Sequence, residues 1–573
     1  MAVRDVVRRS LPRVRLQTIV LIVVVGFTSC FWKKLHKVGE IVVNGEQLDL
    51  RKREPGSRPN APETPPLLVF AMDGVSRELL YDMVRGGKLP NLAALLGGQS
   101  LEHAYFDDTL LSTLPSSTMA AWVTAFSGVS PAVHGVPGNE YFIRDTRTFA
   151  CPAPVSFADS APTLEIYTDD AIGKLTEAPT VYDRMRSDSP DALMWVVMSH
   201  VYRGADRLII ARRTAIAMAM ASFLESFIEK HMTDSNTSRR IYEDLDEAAI
   251  ESVVGQLDDG PVPDVLTIYL SGTDLYAHTA KEGPDLARRA YLVEVVEPLI
   301  AKLTKKLRAR HALSNRWILV TSDHGHTEVL KDDKHALAAS GPPDVLRNAG
   351  FRVRPFKRDV EKTHAFSAVL AYGGAMAYVY LADRSRCAGD DDVCRWEDPP
   401  RYEEDVLAAA EAFAQANGPD STVPRMKGSL DMIFVRKPRP VTDVDLPFEV
   451  YLGGGKTMPI DAYLEQHPHP TYVALATRMH DLAVGIHGER AGDIVLLAHN
   501  GDREAPEDRY YFAAPYRSWH GSPSRVDSEL PLIVAHPRER ASAIRHRVRR
   551  ALGNRPSQQK VADVMLELRR TAR

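Results

Sequence analysis

The sequence predicts an α/β fold with a mostly parallel central sheet, and two observations support this. Short, largely apolar runs typical of strands buried on both faces occur at residues 67–72, 264–270, 317–321 and 493–498. Helix-like stretches with apolar residues at helical spacing lie between these runs, at residues 290–308 and 403–416. Strands that alternate with helices in this way are typical of parallel sheets.

The composition is that of an ordinary globular protein. Hydrophobic residues make up 44% of the 573 residues and charged residues 25%, which argues against a mainly disordered chain. At about 100–200 residues per domain, the length corresponds to roughly three or four units, which large α/β enzymes often fuse around one sheet. The 71 Lys and Arg residues against 75 Asp and Glu give a net charge of -4. With this balance we predict no nucleic-acid partner.

Residues 1–32 are predicted to be an export signal or a membrane anchor. Arginines between residues 4 and 15 precede the apolar stretch Leu16–Trp32, and such basic residues stay on the cytoplasmic side. The stretch is short for a spanning helix and resembles a lipobox ending in Cys30, so a lipoprotein and an uncleaved anchor both remain open. We expect the rest of the chain on the periplasmic or extracellular face. There, Cys387 and Cys394 could form a local disulfide.

The remaining chain divides by composition. Residues 33–65 are largely polar and end in a Pro-rich, charged stretch, which indicates a flexible linker. Residues 66–537 form the predicted main domain, with less regular insertions near residues 141–263 and 384–483. Residues 538–573 are Arg-rich and helix-like, and a solvated closing helix is favoured there over a membrane-surface patch.

Acidic and histidine residues follow each apolar run. The first three runs lead directly into such residues and the fourth leads to one through a loop; in chain order they are Asp73, then Asp274 and His278, then Asp323 and His324, then His520. Ligands of open α/β sheets bind at the carboxyl ends of the strands, so we expect these side chains to converge.

The convergent residues divide into two sets of metal ligands. Asp274 and His278 are four residues apart, on one face of a helix, and together with His520 they would make a zinc site. Asp73, Asp323 and His324 form a second set of similar composition. Two neighbouring ions could clamp the attacking and leaving oxygens of an in-line displacement. We therefore predict two divalent ions; zinc suits the mixture of imidazole and carboxylate, and manganese is the alternative.

A hydroxyl nucleophile is available between the first two runs. An alkoxide held by a metal ion is a much stronger nucleophile than a free hydroxyl. Composition alone does not choose among the candidates, which are Ser112, Thr113, Ser116, Ser117 and Thr118.

The order of these residues resembles the alkaline phosphatase superfamily, and in particular its type I phosphodiesterase/nucleotide pyrophosphatase branch. In that branch the nucleophilic Thr lies three residues after a Pro and ten before the Gly of a Thr-Gly pair. Pro115, Thr118 and Gly128 have this spacing, with Ser127 in place of the second Thr. Residues 131–139 resemble the branch's Pro-x-x-His-Gly segment, which ends in an Asn.

The resemblance implies a three-layer, alkaline-phosphatase-like sandwich with a mostly parallel central sheet and inserted cap regions. It also implies roles for residues. Thr118 would be the nucleophile and would share one metal with Asp73, Asp323 and His324, while the other metal would be held by Asp274, His278 and His520. Asn139 would contact a phosphoryl oxygen, although a simple turn residue is an alternative at this position. For His134 and His326 we expect structural roles, His326 in a loop or orienting a ligand.

The implied activity is hydrolysis of a small-molecule phosphodiester or pyrophosphate through a phosphothreonine intermediate. One departure puts a nucleotide substrate in doubt: Met119–Trp122 stand where the nucleotide pyrophosphatases have x-Pro-Asn-His. A phosphomonoesterase, phosphonate hydrolase or phosphotransferase of the same superfamily remains an alternative, as does a non-catalytic metal-binding module. A sulfatase is disfavoured because Cys151-Pro-Ala-Pro lacks the Cys-x-Pro-x-Arg pattern.

Overall fold

The computed structural model describes residues 47–51, 64–153, 155, 170–210, 235–356, 365–387, 392–438, 446–501, 505–555 and 557–570. The predicted signal or anchor at residues 1–32, with Cys30, lies outside these ranges, as does most of the predicted linker. Within the described ranges, no helix combines the length and the apolar character needed to cross a bilayer.

The strands are, in chain order, β1 (Gln47–Asp49), β2 (Leu67–Met72), β3 (Ala104–Asp107), β4 (Tyr141–Ile143), β5 (Thr148–Ala150), β6 (Met194–Val197), β7 (Arg207–Ile209), β8 (Val265–Leu270), β9 (Trp317–Ser322), β10 (Thr327–Glu328), β11 (Ala368–Tyr372), β12 (Met376–Leu381), β13 (Leu430–Val435), β14 (Glu449–Gly453), β15 (Lys456–Pro459), β16 (Ile494–Ala498), β17 (Ser518–Trp519) and β18 (Leu532–Ala535).

The α-helices are α1 (Arg77–Arg85), α2 (Pro90–Leu95), α3 (Thr118–Ser127), α4 (Pro131–His134), α5 (Ala171–Leu175), α6 (Val181–Asp188), α7 (Ser235–Asp259), α8 (Gly272–Thr279), α9 (Pro284–Tyr291), α10 (Glu297–Ala309), α11 (Pro342–Asn348), α12 (Ala408–Asn417), α13 (Ile460–Gln466), α14 (Leu475–Ala483), α15 (Arg525–Ser528), α16 (Ala541–Leu552) and α17 (Lys560–Arg569).

The central sheet has eight strands in the order β1-β7-β6-β8-β2-β9-β18-β3. Neighbours are parallel from β7 to β9, while β1, β18 and β3 pair antiparallel at the two sides. Every residue of β2, β8 and β9 is buried, so both faces of these strands are covered. The α3, α6 and α17 helices pack together in one group, and α7, α8, α9 and α10 in another. The α/β prediction is confirmed.

The fourth apolar run lies in a different sheet from the one predicted. It forms β16, which pairs antiparallel with β12 and β13 in a six-stranded sheet of order β11-β12-β16-β13-β14-β15. Placing this run in the parallel sheet was therefore wrong. An unbroken apolar run indicates burial on both faces, but it does not determine which strands are its neighbours.

Three predicted boundaries also change. Residues 47–51 of the predicted linker include β1, an edge strand hydrogen-bonded to β7. The region 141–263, predicted as an insertion, contributes β6 and β7 to the central sheet, and the region 384–483 contributes β13 to β15 to the second sheet. The predicted helical stretch 290–308 is confirmed, with a π-helical turn at Leu292–Val296 that precedes Pro298, a residue without an amide hydrogen.

The Arg-rich C-terminal region is part of the core rather than a solvated helix. In α16 the residues Ile544, Val548 and Leu552 face inward. The next helix, α17, is buried along most of its length and packs against α3, α6 and β2. Just before α17, the Gln558 backbone N–H donates to the Leu111 carbonyl (2.8 Å), which ties this region to the hydroxyl-rich segment. The predicted disulfide between Cys387 and Cys394 is present, with the Cα atoms 5.0 Å apart.

Candidate active site

The three parallel strands β2, β8 and β9 deliver acidic residues to one edge of the sheet. Their last residues are in register, since Met72 is paired with Leu270 on one side and with Ser322 on the other. Asp73 follows β2 directly, and Asp323 follows β9. After β8 the chain turns into α8, whose first turn carries Asp274. The convergence predicted from the sequence therefore takes place at the carboxyl ends of these strands.

The α8 helix is held in place by a carboxylate from another helix. Asp246 of α7 accepts hydrogen bonds from the backbone N–H groups of Ser271 (3.0 Å) and Gly272 (3.1 Å), and also from the Tyr291 hydroxyl (3.0 Å). Asp246 thereby satisfies amide groups that the N-terminus of α8 leaves without intrahelical partners. Burial raises the pKa of Asp246 to about 7.

The first predicted ligand set is assembled in the structure. One ligand atom from each of Asp73, Asp323 and His324 lies within 4.8 Å of the others. His324 Nε2 is 3.3 Å from Asp323 Oδ2 and 3.5 Å from Asp73 Oδ1. The other ring nitrogen, Nδ1, is 2.9 Å from the Gly325 carbonyl oxygen. A proton on Nδ1 leaves the Nε2 lone pair directed at the two carboxylates.

The second predicted set, Asp274, His278 and His520, also lies within 4.8 Å. Asp274 Oδ1 is 3.5 Å from His278 Nε2 and 3.8 Å from His520 Nε2. Each Nδ1 again meets a backbone carbonyl: His278 that of Ser518 at 2.6 Å, and His520 that of Ser116 at 3.0 Å. His520 comes from far along the chain, and it follows β17, which pairs with β10 just beyond His324.

These residues fit divalent metal ions on two grounds. Asp73 Oδ1 and Asp323 Oδ2 are buried and make no hydrogen bond within the described part of the chain, although buried carboxylate oxygens otherwise need partners. Burial, and then the charges of neighbouring carboxylates, raises the pKa of Asp73 well above its usual value. Burial and the nearby His324 lower the pKa of His520 well below its usual value, which leaves the neutral imidazole that metals bind.

Thr118 lies beside the first set, at the start of α3. Its Oγ1 is 3.3 Å from His324 Nε2. Asn139 fixes the same helix turn, because its Oδ1 accepts a hydrogen bond from the Met119 backbone N–H at 2.9 Å. Of the five candidate hydroxyl residues, all of which are described, Thr118 is half-buried and the other four are buried. Two of these four are engaged elsewhere: Ser112 donates to the Asp323 carbonyl (2.6 Å) and Ser116 to the Ser522 carbonyl (3.0 Å).

Two residues that contact the ligands were not identified as site residues from the sequence. Tyr269, inside β8, donates a hydrogen bond from its hydroxyl to Asp73 Oδ2. His326, expected in a loop or orienting a ligand, has its Nε2 2.7 Å from Asp274 Oδ1 and its Nδ1 3.1 Å from Ser518 Oγ. His326 also groups with Asp274 and His324 as a possible ligand. The Asp-His-Gly-His order was a signal for His326, whereas Tyr269 is hidden within an apolar strand.

Most of the candidate metal ligands lie within a stretch that matches a known family. Residues 67–393, more than half of the chain, match the model of the type I phosphodiesterase / nucleotide pyrophosphatase family. The chain belongs to this family. Type I phosphodiesterases are metal-dependent hydrolases, so the predicted enzyme class is confirmed. The match begins at the first residue of β2 and ends before His520, which the fold nevertheless brings to Asp274.

Two solved structures of one mouse protein are similar to this chain. Murine ectonucleotide pyrophosphatase/phosphodiesterase 5 aligns with 13% identity and a TM-score of 0.47, over 88% of this chain and 94% of the murine chain. An inactive variant of the murine protein in complex with AMP aligns with the same identity and coverage and a TM-score of 0.46.

Proposed function

We propose that the protein hydrolyses a small phosphodiester or pyrophosphate, with Thr118 as the nucleophile. The observation that carries this proposal is the distance of 3.3 Å between Thr118 Oγ1 and His324 Nε2, at the edge where buried carboxylates converge. The hydroxyl is thus half-buried, close to one ligand set and within reach of solvent. Such an arrangement is suited to covalent catalysis by an activated hydroxyl.

Two divalent ions, for which we propose zinc, fit the two ligand sets. Asp73, Asp323, His324 and Thr118 would hold one ion, and Asp274, His278 and His520 the other. When bound, such ions lower the pKa of a coordinated hydroxyl or water and neutralise the charge that develops on the phosphoryl group.

The residues of the chain divide the reaction into two steps. In the first, Thr118 Oγ1 loses its proton and attacks phosphorus in line; its bond to phosphorus forms as the bond to the leaving oxygen breaks, the leaving oxygen takes up a proton, and the resulting phosphothreonine keeps the other substituent of the substrate. In the second, water attacks the phosphothreonine and releases the phosphate product and the free hydroxyl. Asn139 holds the first turn of α3 through the Met119 N–H, which fixes the direction of Thr118. We also propose that Asn139 contacts a phosphoryl oxygen of the substrate.

The residues Met119–Trp122, which differ from the x-Pro-Asn-His of the nucleotide pyrophosphatases, affect core packing more than substrate binding. Ala120, Ala121 and Trp122 are buried, and the Trp122 ring lies 5.9 Å from the ring of Tyr269 in the core. These side chains therefore face the interior, and a nucleotide substrate stays within the proposed class.

We also propose that residues 1–32 direct export of the protein and attach it to the membrane. The disulfide between Cys387 and Cys394 supports an oxidising compartment, because such bonds persist mainly in exported proteins.

The test is a substrate panel with matched variants. Purified, zinc-loaded protein is assayed with bis-p-nitrophenyl phosphate, p-nitrophenyl phosphate, a nucleotide p-nitrophenyl ester and a sulfate ester. We expect the diesters to be the best substrates. Thr118→Ala should abolish turnover and retain both metals, whereas Ser117→Ala, which removes the neighbouring hydroxyl, should keep activity. Preference for the monoester would replace the proposal with a phosphomonoesterase, and no turnover of any ester would favour a non-catalytic module.

A further inference from the structure

A buried arginine of α14 contacts the segment that precedes Thr118. Arg478 lies on α14 and is 4% exposed. Its Nη1 donates to Ser528 Oγ (2.9 Å) and to the Val473 carbonyl (3.2 Å), and its Nη2 donates to Ser116 Oγ (2.8 Å) and to the Thr113 carbonyl (2.9 Å). Burial lowers the pKa of Arg478 to about 9, so the guanidinium is charged at neutral pH.

Two of these four bonds end on the loop that leads to Thr118. Thr113 and Ser116 both belong to this loop, and Ser116 lies two residues before the nucleophile. Ser116 also contacts the second ligand set, because its backbone carbonyl oxygen is 3.0 Å from His520 Nδ1. Arg478 is thus connected by hydrogen bonds through Ser116 to His520, and Thr118 follows Ser116 by two residues in the chain.

The loop after His520 belongs to the same polar layer. Ser116 Oγ also donates to the Ser522 carbonyl (3.0 Å), and Asp527 accepts hydrogen bonds from the Ser522 N–H (3.0 Å) and the Thr327 hydroxyl (2.7 Å). Three segments that are distant in sequence therefore meet here: the nucleophile loop, the segment after His324 and the segment after His520. Arg478 is the cationic member of this layer and Asp527 is its buried carboxylate.

We propose that Arg478 is a positioning residue, which holds the Thr113–Ser116 loop so that Thr118 and His520 face the same phosphoryl group. The inference rests on the proposed function, since it assigns a purpose to the placement of Thr118. Lysine cannot substitute for this residue, because a single ammonium group does not match four acceptors arranged around a planar fork. Partners that orient metal ligands typically contribute about 10–100-fold to metal affinity or activity.

The test compares Arg478 with a second buried arginine of similar environment. Arg316 donates from Nε, Nη1 and Nη2 to the carbonyls of Ala312 (2.9 Å), Leu67 (3.1 Å) and Pro263 (2.8 Å), and burial lowers its pKa to about 10. It lies at the amino ends of β2 and β9, at the opposite edge of the sheet. Arg316→Met therefore reports the effect of losing a buried guanidinium that does not support the site.

Full-length Arg478→Lys, Arg478→Met and Arg316→Met proteins are measured in three ways: zinc affinity by competition with a chelator, kcat and KM on bis-p-nitrophenyl phosphate, and thermal unfolding. For both Arg478 variants we expect zinc affinity and kcat, corrected for folded fraction, to fall about 10–100-fold, with a smaller change in KM. For Arg316→Met we expect a lower Tm, with zinc affinity and kcat within about twofold of the wild type.

Wild-type zinc affinity and kcat in Arg478→Lys would overturn the proposal, as would losses in Arg478→Met no larger than those in Arg316→Met. If Arg478→Met does not fold, zinc affinity and kcat are measured for Arg478→Lys and Ser116→Ala instead. Ser116→Ala removes one acceptor of the guanidinium and keeps the carbonyl that contacts His520. Wild-type values in both variants would overturn the proposal. If the wild type hydrolyses no phosphoester, the proposed function fails, and the zinc affinities still test whether Arg478 orients His520.

Discussion

The amino ends and the carboxyl ends of the central strands, called here the two edges of the sheet, differ in how their buried charged groups are satisfied. At the amino ends of the strands, the buried Arg316 donates three hydrogen bonds to backbone carbonyls, and Arg569 of α17 donates to the Pro65 carbonyl (3.0 Å). At the carboxyl ends, Asp73 and Asp323 each have a buried carboxylate oxygen with no hydrogen-bond partner among the described residues. Hydrogen bonds within the protein thus satisfy the polar groups at the amino ends, whereas the buried carboxylates at the carboxyl ends would need cations to balance their charge.

The largest expected effect is on activity, from removing a charge at the carboxyl edge. Asp73→Asn should reduce turnover by more than the roughly 10–100-fold lost with a residue that only orients a ligand, because it removes a proposed metal ligand. The same change should raise the Tm of the metal-free protein, because it removes one of three neighbouring buried carboxylates. Thermal unfolding after chelation, together with kcat on bis-p-nitrophenyl phosphate, checks both effects. A lower Tm for the metal-free variant would contradict the comparison.

Removing a charge at the amino edge should have the opposite effect. Arg316→Met leaves backbone acceptors of Leu67 and Pro263 buried without this donor, so we expect a loss of about 2–5 kcal/mol in the free energy of unfolding. Urea denaturation of the metal-loaded protein measures this loss. Activity per folded molecule should not change, and a reduced kcat would show that the two edges are coupled.

The pH dependence of stability should separate the metal-free protein from the loaded one. The folded pKa of Asp73 is raised above its value in the unfolded chain, so the folded state binds the proton more tightly. The ionised Asp73 carboxylate therefore destabilises the folded protein at pH values above its folded pKa. This destabilisation decreases as the pH falls from the folded pKa toward the pKa of Asp73 in the unfolded chain. Urea unfolding of chelated wild type and Asp73→Asn at several pH values between about 8 and 5 measures the difference.

We expect the stability advantage of chelated Asp73→Asn over the wild type to shrink as the pH falls. An advantage that stays constant, or that grows at lower pH, would contradict the raised pKa of Asp73. In the zinc-loaded wild type, acid should instead lower stability, because protons compete with the metal for its ligands.

The smallest expected effect comes from a single hydroxyl at the carboxyl edge. Tyr269→Phe removes the hydrogen bond to Asp73 Oδ2, and we expect kcat to fall by about tenfold with little change in stability. Tyr182→Phe is the matched control, because the Tyr182 hydroxyl is also buried and donates to Thr267 Oγ1 (2.9 Å) away from the ligands. Equal kcat values for the two variants would show that Tyr269 does not orient Asp73.

The sequence was informative where a local pattern has a local cause. The runs that became β2, β8 and β9 were predictable because strands buried on both faces are continuously apolar, and the residues that follow such strands occupy one edge of the sheet. Asp73, Asp274 and Asp323 could therefore be assigned to one site. The i, i+4 spacing of Asp274 and His278 likewise follows from helix geometry alone.

Long-range contacts were beyond the reach of local patterns. The run at residues 493–498 was assigned to the wrong sheet because burial does not specify pairing partners. Arg478 and Ser116 are 362 positions apart, and no local feature of either residue predicts their hydrogen bond. The choice of Thr118 among five hydroxyls depended on the resemblance to a family, since exposure and distance to His324 are properties of the folded chain.

The packing of α17 has a consequence for how the enzyme matures. Gln558 Oε1 accepts a hydrogen bond from the Thr113 N–H (3.3 Å) and lies 3.3 Å from the Ser112 hydroxyl oxygen, and the helix that follows packs against α3. The surroundings of Thr118, near the start of the domain, are therefore complete only after residues 558–569 have been synthesised. A polypeptide that ends before residue 558 would lack both the Gln558 contacts and the helix behind α3.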